Sequence, residues 1–245
     1  MATVKVMSFN IWVGGQRPER SEKVRRLIHS YSPDILGIQE LDRAFNEEFP
    51  ADPILSRDYG CILQRRDGET GEANPIYYKK EVFDLVESGT RWLSDTPLTV
   101  SKFPQSSLNR IFTYAVLSCK ADGSKLLAVN THLDHRSEEA RDLQAAVLAD
   151  FINTYDLPVV LTGDFNTSPD SNCYRIVSES GLVDSGRLLG DDRPFTFTSF
   201  GNAAIIIDYV FTKNGAEAVW CRVCNEQVEG EFPSDHHPVL AQVKF

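Results

Sequence analysis

Six times along this chain, a short apolar run stands beside a side chain able to bind a metal ion or a phosphate group. Val4-Lys5-Val6-Met7-Ser8-Phe9 leads to Asn10, and Asp34-Ile35-Leu36-Gly37-Ile38-Gln39 leads to Glu40. The run from Lys125 to Asn130 leads through Thr131 to His132, and Leu157-Pro158-Val159-Val160-Leu161 leads through Thr162-Gly163 to Asp164. Ile205-Ile206-Ile207 leads to Asp208, and Asp235-His236 lies just ahead of Val239-Leu240-Ala241-Gln242-Val243. Apolar runs of this length, rich in β-branched residues, read as buried strands. Taken singly, each polar terminus has a plain explanation as a turn former, a cap or a satisfied core group. Six together are better explained by one site at a shared sheet edge, where ligands collect.

The segments between these strands set the layers. Val24, Leu27, Ile28 and Tyr31 recur at i, i+3, i+4 and i+7, so a helix with one buried face joins the first two strands. Ser137 is placed to cap a second helix, with Glu138 and Glu139 at its positive end and Ala140, Leu143, Val147, Leu148 and Phe151 as its buried side. Pro169 suits the first turn of a third helix capped by Ser168. Residues 41–75 are polar and turn-rich and read as surface loops, as does Leu93 to Leu108. Arg110 to Ser118 and Lys125 to Asn130 read as a hairpin about Ala121-Asp122-Gly123-Ser124. Thr196-Phe197-Thr198, Ile205 to Phe211 and Val219 to Val223 read as further strands, and the two halves hint at pseudo-symmetry. The expectation is one domain over residues 1–245, with two packed sheets and outer helices.

Composition removes several functions. No apolar run approaches a membrane span, and the N-terminus lacks a signal-peptide layout, so a cytoplasmic protein is expected, or a secreted one if a signal was trimmed. The net charge of −10 argues against tight, sequence-independent grip on duplex nucleic acid, which needs a basic face. Five scattered cysteines suit a reducing compartment, and the Cys221-Arg222-Val223-Cys224 pair lies in a strand-like run, where packing explains it better than metal or redox work. A monomer is expected.

The residue types fit one chemistry. Glu40 and Asp235, with Asn10 nearby, are hard oxygen donors suited to Mg²⁺ or Mn²⁺, which bind through one or two carboxylates plus substrate phosphate. Asp164 can deprotonate an attacking water. If the strand stays extended past Gly163, Asp164 and Asn166 point to the same side. His236, paired with Asp208, can be held protonated against phosphate charge. Metal-assisted attack of water on phosphorus needs these parts.

Ser8-Phe9-Asn10, Ile38-Gln39-Glu40, Asn130-Thr131-His132-Leu133, Gly163-Asp164-Phe165-Asn166, Ile207-Asp208-Tyr209-Val210 and Ser234-Asp235-His236-His237-Pro238 resemble, in order, the motif series of the endonuclease/exonuclease/phosphatase superfamily. Gly71 to Tyr78 and Glu87 to Ser94 resemble its bacterial branch nearest the nocturnin-like deadenylases. The resemblance implies an α/β fold: a four-layer α/β/β/α sandwich, two mixed, mostly antiparallel sheets face to face with helices outside. It implies Glu40 as main metal ligand with Asn10 and Asp235 close by, and Asp164 positioning or deprotonating the water. It also implies Asn166, His132 and His236 on the scissile phosphate, Asp208 orienting His236, and Arg110 as a further phosphate contact. The expected activity is divalent-metal-dependent hydrolysis of phosphodiesters, on single-stranded nucleic acid or nucleotides. The alternatives are a phosphatase or phosphodiesterase of a small phosphorylated metabolite or lipid headgroup, and a non-catalytic binding protein on the same scaffold. Trp12, Trp92 and Phe103 are the loop aromatics available to stack a base.

Overall fold

Alternation of side chains along the strands divides the apolar residues into three sets, and each set fills one space between layers. The computed structural model describes residues 1–15, 18–43, 49 and 51–245. In β1 (Thr3–Asn10), Val4 and Val6 point one way and Met7 and Phe9 the other. Met7 and Phe9 join Leu36 and Ile38 of β2 (Ile35–Gln39) against Val24, Leu27 and Ile28 of α1 (Pro18–Tyr31). Val4, Val6 and Ile35 face Leu126, Ala128, Val160 and Val210 of the second sheet. That sheet's other face sets Leu127, Val129, Leu161, Tyr209 and Phe211 against the helices α3 (Glu138–Asn153) and α4 (Asn172–Glu179). Three apolar spaces between helix, sheet, sheet and helix make the four-layer sandwich. The period of two along a strand dictates this division.

Each sheet has six strands. The first runs β11 (Glu217–Val223), β12 (Val239–Lys244), β1, β2, β4 (Ile76–Lys79), β3 (Tyr59–Ile62). The second runs β5 (Phe83–Trp92), β6 (Ile111–Cys119), β7 (Lys125–His132), β8 (Val159–Asp164), β10 (Asp208–Lys213), β9 (Val183–Asp184). In both, the central pair is parallel and crossed by a long helix, β1-α1-β2 and β7-α3-β8, while every other pair is antiparallel. The expected pseudo-symmetry is therefore present in the strand order.

Four local expectations are corrected. Residues 41–75 are not all loop: a short helix α2 (Pro53–Asp58) capped by Asp52 and the strand β3 lie there, with Phe49, Leu55 and Tyr59 buried. Residues 44–48 and 50 of that stretch lie outside the described residues. The third helix begins at Asn172, because the Ser171 hydroxyl accepts the Tyr174 N–H at 3.1 Å, whereas Ser168 donates to the Asp170 carboxylate. In α3 the buried face centres on Ala145, Leu148, Ala149 and Ile152, with Val147 and Phe151 half-buried on its flank. Residues 196–198 make an isolated bridge from Phe197 to Ile205 and to His236, not a strand, and β10 begins only at Asp208.

Candidate active site

The inner faces of the two sheets change character along their length. Beyond the apolar floor come Ser8, Gln39, Asn130 and Thr162, on the same faces as Val6, Ile35, Ala128 and Val160, all buried. The Gln39 side-chain amide donates to Asn130 Oδ1 at 2.7 Å, Thr162 Oγ1 donates to the same oxygen at 3.0 Å, and Asn130 Nδ2 donates to the Ile38 carbonyl at 2.7 Å. This buried network ties the two sheets to each other, with Gln39 Oε1 left without a partner in it. Gly37 leaves room for it, since a Cβ there would stand 2.1 Å from Thr162 Oγ1 and 2.6 Å from Asn130 Oδ1.

Two residues further along the same faces stand Asn10, His132 and Asp164, with Asp208 beside them. Register places His132 opposite Asp164 and Asp164 opposite Asp208, so three side chains share a row with a strand spacing of about 4.8 Å. Glu40 follows β2 with a φ of 62°, and Asn166 follows β8 with a φ of 50°. Left-handed backbone at non-glycine residues costs energy and clusters at functional sites. The extended geometry expected through Asn166 therefore does not persist: the Asp164 Oδ1 accepts the Asn166 N–H at 2.8 Å and turns the chain. The turn aims the Asn166 amide at His132 Nε2, 2.9 Å away, and at the Leu133 carbonyl, 3.2 Å away. Asp235 and His236 arrive on the loop before β12, tied down by Ser234, whose hydroxyl donates to the Asn10 carbonyl at 2.7 Å.

Asn10 joins the two sheets at the centre. Its Nδ2 donates to Glu40 Oε1 at 3.0 Å and to Asp164 Oδ2 at 2.9 Å, while its Oδ1 accepts the Trp12 N–H at 2.9 Å. In this arrangement Asn10 orients two carboxylates and turns its own oxygen away from them. Glu40 Oε2 accepts the Val13 N–H at 2.6 Å. The Asn166 amide thus meets both His132 Nε2 and the Leu133 carbonyl, and Nε2 also stands 3.4 Å from Asp164 Oδ2, while His132 Nδ1 is buried without a partner. Burial, with Arg110 and His236 nearby, holds His132 well below its ordinary pKa and keeps the ring neutral.

His236 is the opposite case. Burial opposes its charge, yet Asp208, Asp164 and Asp235 outweigh burial and push its pKa up to about 10. Its Nδ1 donates to Asp208 Oδ2 at 2.9 Å, leaving Nε2 at 3.8 Å from Asp164 Oδ2 and 3.9 Å from Asp235 Oδ1. Burial and the Asp208 charge raise the Asp164 carboxyl, against the donors Asn166 and Asn10. Burial and Glu40 raise Asp235. These raised acids mark a site short of positive charge. Donor atoms of Glu40, His132 and Asp164 lie within 4.8 Å of one another, as do those of Asp164, Asp208 and His236. Hard carboxylate oxygens held raised in this way fit a divalent cation.

All nine residues singled out from the sequence come together here. Glu40, Arg110, His132, Asp164, Asn166, Asp235 and His236 line one cavity of about 460 Å³, with Asn10 and Asp208 bonded to its wall. Arg110 is buried beneath it, its guanidinium 3.2 Å from His135 Nδ1 and its Nε without a partner. The cavity also holds Trp12, Glu72, Leu108, His135, Phe197 and Ile207. Glu72 pairs with Arg66 at 2.6 Å, and its position in the Gly71 to Tyr78 motif was the available signal for it. Of the three aromatics noted for stacking, Trp92 and Phe103 are core residues, each 5% exposed. Trp12 alone faces the cavity, with the Phe200 ring 5.0 Å from its own. Asp134 is buried and structural, its carboxylate accepting from Ser106, Ser107, Arg136 and Ser137.

The sandwich thus gathers acids, amides and imidazoles where its two parallel strand pairs end. The chain belongs to the Endonuclease/Exonuclease/phosphatase family, whose profile matches residues 7–236. It is 24% identical over 315 residues to the CCR4-Not complex 3'-5'-exoribonuclease subunit Ccr4 of Yarrowia lipolytica, covering 96% of this chain and 44% of that protein. It is 26% identical over 263 residues to nocturnin of Xenopus laevis, covering 93% of this chain and 64% of that protein. The chain thus spans less than two thirds of either relative. Among solved structures, a mannosyl-6-phosphatase of Bacteroides thetaiotaomicron superposes with a TM-score of 0.88 at 26% identity, covering 99% of this chain and 100% of that one. Among the described residues no helix is long and apolar enough to cross a membrane.

Proposed function

We propose that this protein is a divalent-metal-dependent phosphodiesterase acting by in-line attack of water, with single-stranded nucleic acid or a nucleotide as substrate. The observation that carries the chemistry is Asp164. It is a buried carboxylate with a raised pKa, suited to take a proton near neutral pH, and it lies between the His236–Asp208 pair and the Glu40–Asn10 pair. In this reading Asp164 orients and deprotonates the water. His236, kept charged by Asp208, stabilises the phosphoryl oxygens, together with Asn166 and the buried Arg110 guanidinium. His132 holds Asn166 in place and stands with it beside the phosphate. Glu40 is the principal ligand for Mg²⁺ or Mn²⁺, with Asp235 on the same cavity wall. The bound cation supplies charge neutralisation at the phosphate.

The preference for a base-bearing substrate rests on Trp12, the one loop aromatic noted for stacking that lines this cavity, and which with Phe200 also lines the neighbouring one. The relatives called exoribonuclease agree with it. A second reading, a monoesterase of a sugar phosphate, is favoured by the partnerless Arg110 Nε at the cavity floor and by the whole-chain likeness to a mannosyl-6-phosphatase. A substrate panel decides between them: single-stranded RNA and DNA, duplex DNA, and sugar monophosphates, each with Mg²⁺ or Mn²⁺. The first reading expects release of nucleotides from single strands, with Trp12→Ala raising KM. Turnover confined to sugar monophosphates would replace it with the second.

A further inference from the structure

Arg20, in the first turn of α1, lies outside all the motifs above. Its N–H groups meet five backbone carbonyls. Nη1 donates to Ile11 at 2.5 Å and Pro233 at 3.0 Å, Nη2 to Trp12 at 2.6 Å and Gly14 at 3.0 Å, and Nε to Gly15 at 3.3 Å. Two of these carbonyls belong to peptide units that also touch the site. The peptide joining Ile11 to Trp12 gives its oxygen to Arg20 and its N–H to Asn10 Oδ1. The next peptide, joining Trp12 to Val13, gives its oxygen to Arg20 and its N–H to Glu40 Oε2. A peptide is planar, so fixing its oxygen fixes the direction of its N–H. The residue between the two planes, Trp12, has a φ of 58°, a conformation that needs outside support. The Pro233 carbonyl adds the chain that leads directly into Asp235 and His236.

We propose that Arg20 is a positioning residue for the metal site. Through two rigid peptide planes it sets the orientation of Asn10 and Glu40, and through Pro233 it sets their distance from Asp235. It needs no contact with metal or substrate to do this. Lysine cannot replace it, because its ammonium lacks the planar fork that holds two adjacent carbonyls at once. Outer residues that orient ligands typically change metal affinity by about 10–100-fold when removed.

The inference rests on the metal-dependent reading above, and calorimetric titration of Mg²⁺ alone into the wild type, Arg20→Lys and Arg20→Gln separates the two. Thermal melts and kcat and KM at saturating Mg²⁺ are measured alongside. The expected result is measurable binding to the wild type and about 10–100-fold weaker binding to both variants. Guanidinium ion added to Arg20→Ala should restore part of the affinity. At saturating Mg²⁺ the variants should lose kcat more than they raise KM, since the misplaced groups act on the reacting phosphate. Wild-type affinity in Arg20→Lys, whatever its melting temperature, overturns the inference and leaves the functional reading standing. Recovery by lysine of what glutamine loses would assign the effect to charge and also overturn it. No Mg²⁺ binding by the wild type overturns the metal-dependent reading itself.

Discussion

Replacing Asp208 by Asn tests the electrostatics of the site through one atom. At 2.9 Å, with an effective dielectric constant of about 20, the His236–Asp208 attraction is on the order of 5 kcal/mol, or about four pKa units. Burial of the imidazolium works against it, and the balance, helped by Asp164 and Asp235, leaves His236 at about 10 instead of its ordinary 6.5. Asp208→Asn keeps an acceptor for the Nδ1–H but removes the charge, so burial then dominates and His236 becomes neutral near pH 7. The loss of a charged donor at a developing phosphoryl charge lowers kcat/KM by about 10²–10³ at pH 8. The assay is the pH profile of kcat/KM, with an NMR titration of the His236 ring in the metal-free protein. The variant's basic limb should move from about 10 to neutrality or below. A basic limb left near 10 in the variant refutes the reasoning, because another group must then carry it.

Other substitutions probe the remaining links. Asp164→Asn should fold normally, as judged by circular dichroism, and lose about 10²–10⁴ in kcat as the general base is removed; turnover near that of the wild type would contradict the assignment. Gly37→Ala presses a methyl against Thr162 and Asn130 between the sheets and should cost about 1–3 kcal/mol in urea melts, with Mg²⁺ affinity falling as the layers shift. Asp134 bears on acid stability. Burial would raise its carboxyl, but the donors from Ser107, Ser137 and Arg136 prevail and hold it below the ordinary 3.8. A depressed folded pKa gives stability that is present above the unfolded value and lost as pH falls through the folded one. Asp134→Ala should therefore cost about 3 kcal/mol at neutral pH and flatten the acid limb of stability below about pH 4. An unchanged acid limb would show that Asp134 does not carry it.

Much of this site is legible because one rule acts on four strands. Asn10, His132, Asp164 and Asp208 stand an even number of residues from the core residues Val6, Ala128, Val160 and Val210, and the polar ending of each apolar run was the signal that marked them. Glu40, Asn166 and His236 lie one to three residues outside the strands, where proximity to an apolar run and their motifs marked them but strand geometry could not aim them. What parity could not give is the conformation of turns. The left-handed φ values at Trp12, Glu40 and Asn166 depend on hydrogen bonds made across the fold, and so does the choice of Ser171 over Ser168 as a helix cap. Arg20 was invisible for a related reason. It acts on backbone carbonyls, and these carry no sequence signature.

The central claim, metal-dependent phosphoester hydrolysis at Asp164, is tested most directly by following cleavage of a short single-stranded RNA with Mg²⁺, with chelator, and with Asp164→Asn. Hydrolysis is expected with Mg²⁺, abolished by chelation, restored by added Mg²⁺ and lacking in Asp164→Asn under all conditions. Hydrolysis that survives both chelation and the Asp164→Asn substitution would contradict it.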